Sequence, residues 1–203
     1  MTSTPESPGL APTTATVLVV CTGNICRSPA AAALLARSIG ADGSVRVVSA
    51  GTRAVVGSGV SPSMAALLDA MVVPTDSHEA TQLTPRLVRD ASAIVVMTRA
   101  HRSEVVGMEP SAVRRTFTLR ELARLSRTVP FGADAGTDAT MAERLASLVH
   151  RAGGARRPPE QPEDDEIADP YGGKPAAYER AVTEINAAVR VIASVLHGKP
   201  SRS

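Results

Sequence analysis

Short apolar runs alternate with stretches of helical period along this chain. Thr16–Val20 ends at Cys21, Val45–Val48 precedes Ser49-Ala50-Gly51-Thr52, Ala93–Met97 is a third run and Val113–Thr118 a weaker fourth. Runs this short predict strands covered on both faces, as in a parallel sheet. Between them, Ser28-Pro29, Ser61-Pro62 and Thr84-Pro85 each offer an N-cap followed by proline at the first helical position. Gly40 closes the first of these helices, and residues 100–107 predict another. A long last helix is expected from Lys174-Pro175 to His197, closed by Gly198, with Ala181, Ile185, Ala188, Ile192 and Val195 as its apolar stripe. Strand–helix alternation of this kind predicts an α/β fold with a parallel sheet flanked by helices on both faces.

The pattern breaks in two places. Residues 1–15 are rich in Pro, Ser and Thr and read as a disordered tail, which leaves 16–198 as a single domain. From about 127 to 166 an insert interrupts the alternation. Its residues 138–152 predict a helix capped by Asp138 and ended by Gly153-Gly154, and the following GARRPPEQPEDDE reads as a mobile charged loop. A surface elaboration without catalytic part is the plain reading of the insert; a lid or docking segment is the alternative.

The 203 residues suit one substantial core. A net charge of +2 argues against a nucleic-acid surface, and the only aromatics are Phe117, Phe131, Tyr171 and Tyr178, too few for base stacking. The N-terminus lacks a basic segment followed by a separate apolar one, and no run approaches membrane length, so a cytoplasmic protein without a membrane span is expected. Two cysteines five positions apart make a poor disulfide framework, in keeping with a reducing compartment. Four scattered histidines give no metal-ligand spacing, so neither metal nor other cofactor is expected.

Both cysteines lie in VVCTGNICRSP, residues 19–29. Cys21 falls at the end of the first strand and Ser28-Pro29 at the start of the first helix, so Thr22 to Arg27 form a strand-to-helix loop, where ligands of open parallel sheets bind. Successive N–H groups there converge on an anion, the helix N-terminus adds positive potential, and Arg27 supplies a planar fork for two oxygens. The same field favours the thiolate of Cys21 and makes it a candidate nucleophile toward a bound phosphate. Gly23 and Asn24 suit the loop because both tolerate left-handed angles. Ser28 is a candidate both to cap the helix and to donate to the thiolate as it leaves, two roles that do not exclude each other. The loop matches neither G-x-x-x-x-G-K-[ST] nor G-x-G-x-x-G, which removes the usual signature for nucleotides.

With these residues in view, the sequence resembles the low-molecular-weight protein-tyrosine phosphatase family, bacterial type. The signature stands at Val20–Pro29 and a second motif at Asp169-Pro170-Tyr171, with SAGT after the second strand and VVMTRAH at 95–101 as further landmarks. The resemblance implies a four-stranded parallel sheet and a metal-free, two-step phosphomonoester hydrolysis through a phosphocysteine. By position it makes Cys21 the nucleophile, Arg27 the holder of the equatorial oxygens, and Asp169 the acid that becomes the base. Asn24, Ser28, Ser49 and His78 map to the network supporting the phosphate loop (Thr22, Gly23, Asn24, Ile25, Cys26, Arg27, Ser28). Tyr171 maps to the substrate wall, and Cys26 to a second thiol able to pair with Cys21 on oxidation. The implied partner is a phosphotyrosine-containing protein, a bacterial tyrosine kinase among the candidates, and the implied assembly a monomer or weak homodimer.

The chain departs from the family at the cleft. Gly172 stands where many relatives have a second tyrosine, and Arg53-Ala54-Val55-Val56 where several have an aromatic wall. The family's protein-arginine phosphatases share FTL and DPYGG but carry threonine at the position of Ile25, an isoleucine in the tyrosine-directed members, which favours phosphotyrosine. Thioredoxin-coupled arsenate reductases share the C-x5-R loop but need further cysteines, and none follows Cys26. A non-catalytic phosphopeptide-binding module would require neither Cys21 nor Asp169.

Overall fold

The computed structural model describes residues 14–128 and 139–198. Four strands, β1 (Ala15–Cys21), β2 (Val45–Gly51), β3 (Ala93–Val96) and β4 (Thr116–Thr118), form one parallel sheet in the order β2-β1-β3-β4. The helices are α1 (Arg27–Ile39), α2 (Pro62–Ala70), α3 (Pro85–Asp90), α4 (Arg99–Met108), α5 (Leu119–Thr128), α6 (Met141–Gly154) and α7 (Pro175–Leu196). β1 is central, and its unbroken apolar sequence follows from burial on both faces. Val17, Val19 and Cys21 join the larger core, with Leu34 and Leu35 of α1, Leu145 and Leu148 of α6, and Ile185, Val189 and Ile192 of α7. Leu18 and Val20 join the smaller one, with Val88 of α3 and Val105 of α4. The expected four-stranded architecture is thus present, with the Cys21 loop between β1 and α1.

Of the expected tail, residues 1–13 lie outside the described ones, and Ala15 already opens β1. Three local expectations need correction. First, the run at Val113–Thr118 is strand only over its last three residues. Pro110–Arg115 is a 3-10 turn, closed by Thr116 Oγ1 donating to the Ala112 carbonyl at 2.8 Å. Second, α1 starts at Arg27 rather than after a Ser28 cap, and no side chain caps it. Ser61 likewise precedes α2 without capping it, whereas Thr84 accepts from Leu87 N–H at 3.3 Å as a proper cap of α3. Third, the insert helix is capped by Thr140, which exchanges bonds with Glu143 in a capping box, while Asp138 lies outside the described residues. Gly153 and Gly154 form the last two residues of that helix, and Ala155 is its C-cap. A Cβ on Gly153 would lie 2.9 Å from the Arg114 carbonyl, so this glycine lets α6 lie against the turn before β4.

The charged stretch after α6 is tied down, not loose. Arg156 sits 4.3 Å above the Phe117 ring, donates to the carbonyls of Val113 and Thr116, and pairs with buried Glu121 at 3.2 Å. Arg124 clasps buried Asp165 through Nε and Nη2 at 3.1 and 2.8 Å. Glu166 Oε1 accepts from Arg99 N–H, and Ile167 N–H donates to the Met97 carbonyl at 2.9 Å. The chain is therefore fastened to the end of β3 just before it reaches Asp169.

Candidate active site

The loop after β1 takes its shape from where its carbonyls go. Those of Thr22, Gly23 and Ile25 accept from Arg53, Val55 and Ser61 N–H at 2.9, 3.0 and 2.7 Å, and that of Asn24 accepts from His78 Nε2 at 2.8 Å. In a trans peptide the next N–H points opposite to the carbonyl. The N–H groups of Gly23, Asn24, Ile25 and Cys26 are thereby turned to the inside of the loop, where none has an acceptor among the described residues. Four convergent donors at a helix N-terminus form an anion-binding concavity.

Asn24 holds this turn. It adopts φ +56°, the left-handed angle foreseen from its residue type, whereas Gly23 does not. Its buried amide donates to Ser28 Oγ at 2.8 Å and Ser49 Oγ at 2.9 Å, and accepts from Thr81 N–H at 2.8 Å. The side chain's donors and its carbonyl are all engaged. Ser28 accepts from Asn24, which leaves its own hydrogen for Cys21 Sγ, 2.9 Å away. That engagement is why Ser28 is not a helix cap. Gly51 makes the juxtaposition possible: a Cβ there would lie 2.4 Å from the Thr22 carbonyl.

Arg27 is buried and reaches across the site. Nη1 donates to the Ile167 carbonyl at 3.2 Å and Nη2 to Asp169 Oδ2 at 2.5 Å, while Nε has no partner among the described residues. Two motifs 142 positions apart thus meet at one guanidinium. The Asp169 side chain remains about half exposed, with Oδ1 accepting from Tyr171 N–H at 3.2 Å, and Tyr171 is exposed at the rim. Ile25 and the exposed Val55 lie against Gly23, so the loop after SAGT brings an apolar rather than an aromatic side chain to the phosphate loop.

Cys26 has its own hydroxyl partner. Its Sγ lies 3.0 Å from Ser61 Oγ, and burial pushes its thiol above the usual range, so it is held as a neutral thiol. Both cysteines are free. Every residue expected at the site is therefore gathered here except Tyr171, which stands at its margin.

One residue escaped the sequence reading. His101, in the first turn of α4, is buried, with Nε2 2.9 Å from Thr22 Oγ1 and Nδ1 2.9 Å from Thr98 Oγ1. Burial, with the Arg27 charge next, lowers its pKa from 6.5 to about 4, so the imidazole is neutral at physiological pH. Only its place at the end of VVMTRAH marked it in the sequence.

Known proteins agree with this geometry. Residues 16–130 match the family model of the low molecular weight phosphotyrosine protein phosphatases. A probable low molecular weight protein-tyrosine-phosphatase, EpsP of Ralstonia nicotianae, is 38% identical over 116 residues, covering 57% of this chain and 78% of that one. A protein-arginine-phosphatase of Geobacillus stearothermophilus is 29% identical over 180 residues, covering 89% and 95%. Among solved structures, the arginine phosphatase YwlE of the same organism superposes with a TM-score of 0.65 at 29% identity, over 91% of this chain and 94% of that one. The tyrosine phosphatase AmsI of Erwinia amylovora gives 0.63 at 26%, over 88% and 91%. Taken with the loop, the arginine and the aspartate that meet there, these matches mean that the chain belongs to the low molecular weight phosphotyrosine protein phosphatase family.

Proposed function

We propose that this protein hydrolyses phosphotyrosine in proteins through a phosphocysteine. The observation that carries the reading is the ring of inward-turned N–H groups at residues 23–26 between a thiol and a buried guanidinium. A phosphate seated there accepts from these donors and from Arg27, including Nε, and takes over Nη2 from Asp169. Cys21 Sγ attacks phosphorus as the ester P–O bond breaks, and Asp169 protonates the departing oxygen. Asp169, now a carboxylate, takes a proton from water as the water oxygen attacks phosphorus and the P–S bond breaks. Ser28 donates to the thiolate that leaves, and the donors about the equatorial oxygens stabilise charge as it develops. Every step uses only side chains, backbone and water.

Phosphotyrosine is favoured because Ile25 and Val55 beside the phosphate loop, and the exposed Tyr171 next to Asp169, offer apolar and aromatic surface to a ring. A second reading, phosphoarginine, draws on the arginine phosphatase that matches nearly the whole chain rather than its first part. The partner is a phosphoprotein, a tyrosine kinase among the candidates. A cytoplasmic location fits two free thiols, and among the described residues no helix is long and apolar enough to cross a membrane.

Phosphate release is to be compared from a phosphotyrosine and a phosphoarginine peptide, with chelator throughout. Preference for phosphotyrosine, lost in Cys21→Ser and much slowed in Asp169→Asn, is the expected result. Preference for phosphoarginine would keep the mechanism and overturn the part given to Ile25. Binding of both without turnover would overturn the enzyme reading.

A further inference from the structure

His101 and His78 grip the phosphate loop from opposite sides. His78 approaches from the segment after α2 and binds the Asn24 carbonyl. His101 approaches from α4, beyond β3, and binds the Thr22 hydroxyl. Without the second contact, the first residue after Cys21 would be fixed on that side by packing alone.

The protons on this second path can be counted. Thr98 Oγ1 already accepts from His101 N–H at 3.3 Å, as the cap of α4. Among the described residues its single hydrogen has no other partner than His101 Nδ1, 2.9 Å away, and given to Nδ1 it places the ring proton on Nε2. Nε2–H donates to Thr22 Oγ1, and the hydroxyl hydrogen of Thr22 is left to serve the loop. The opposite tautomer would leave the Thr98 hydrogen with no acceptor among the described residues and consume that of Thr22. The charged groups whose fields reach the ring are Arg27 and Arg53, which oppose its protonation, and Glu104 and Asp169, which favour it; burial decides for the neutral form.

Resting on the proposed phosphatase reading, we infer that His101 is a positioning residue for catalysis: as the Nε2–H tautomer it transmits the fixed end of α4 through Thr22 to the anion-binding turn. It touches neither substrate nor sulfur. Its effect is to keep the N–H group of Gly23 aimed, a matter of fractions of an ångström to which rate is sensitive.

Two substitutions separate the ring's two ends. The amide nitrogen of glutamine stands where Nε2 does, and the asparagine amide where Nδ1 does. His101→Gln therefore keeps the donor to Thr22, whereas His101→Asn keeps only the Thr98 contact. With a phosphotyrosine peptide, His101→Gln is expected to stay within about threefold of wild-type kcat. His101→Asn and the near-isosteric Thr22→Val are each expected to lose about ten- to a hundredfold in kcat with KM little changed. The double variant His101→Asn/Thr22→Val should be no slower than either single one, since both cut the same link. Nitrogen chemical shifts of the wild-type imidazole should report Nε2–H between pH 5.5 and 8.

Equal activity of the Gln and Asn variants, additive losses in the double variant, or an Nδ1–H tautomer would each overturn this inference while leaving the phosphatase reading intact. The tautomer and Thr22→Val serve if His101→Asn does not fold. Wild type without turnover would overturn the functional reading and this inference with it.

Discussion

A buried neutral histidine makes acid stability predictable. His101 has a pKa of about 4 in the folded chain against 6.5 for the free side chain. Between these values the unfolded chain holds the proton and the folded one does not, so stability is complete above pH 6.5 and falls as pH drops toward 4. Integrating two titrations with these midpoints, wild type loses about 2.5 kcal/mol from this group between pH 7 and 4.5. His101→Gln has no such group. At pH 7 it should be the less stable protein by about 1–2 kcal/mol, the cost of leaving Thr98 without its ring partner. At pH 4.5 the two should be level, or the variant ahead. The comparison subtracts the acid-labile carboxylates common to both, Asp42 and Glu143 among them, whose hydrogen bonds hold them below their usual range. Urea unfolding at half-unit intervals from pH 4.5 to 7.5 reads the difference directly. Parallel curves for the two proteins would refute the claim that His101 is held neutral by burial.

Three further outcomes follow from particular contacts. Arg156→Met should lower stability by about 3 kcal/mol in urea unfolding, because Glu121 stays buried with Arg102, 3.7 Å away, as the one remaining ion-pair partner among the described residues; Glu121→Gln in the same chain should restore more than half. Val72 is a β-branched residue at φ +56° with its side chain in solvent, so Val72→Gly should raise the unfolding free energy by about 1 kcal/mol, against the usual penalty for glycine. Gly51→Ala would set a methyl against the Thr22 carbonyl and displace the phosphate loop; phosphate release should fall about a hundredfold or more while circular dichroism remains native-like.

The site was legible wherever its chemistry is local. Strand, turn residues, arginine and Ser-Pro stand within eleven consecutive positions, and each carries its reason for being there. Asp169 was not legible in that way. An Asp-Pro pair beside other acids reads as a loop, and only its likeness to a second family motif singled it out. His101 was invisible because its partner in the loop is 79 positions away and a lone histidine in a helix has many ordinary explanations. The charged stretch misled for a similar reason. Proline and unlike charges in sequence argue for a loose loop, but Arg156 pairs with Glu121 and Asp165 with Arg124, each from the far side of α6. Ser28 and Ser61 looked like caps by position, yet their hydroxyls serve the two sulfurs instead.

β4 is three residues long and stands at the margin of the sheet, paired among the described residues with β3 alone. Its outer backbone would be open to a strand from another molecule, except that Arg156 occupies the Thr116 carbonyl and lies across Phe117, with Gly153 lodged against Arg114. A segment that resembles dispensable decoration is thus a guard against intermolecular strand pairing. Trimming it to obtain a smaller enzyme would trade a loop for a sticky border, and the cost would appear in the pellet after expression before any rate was measured.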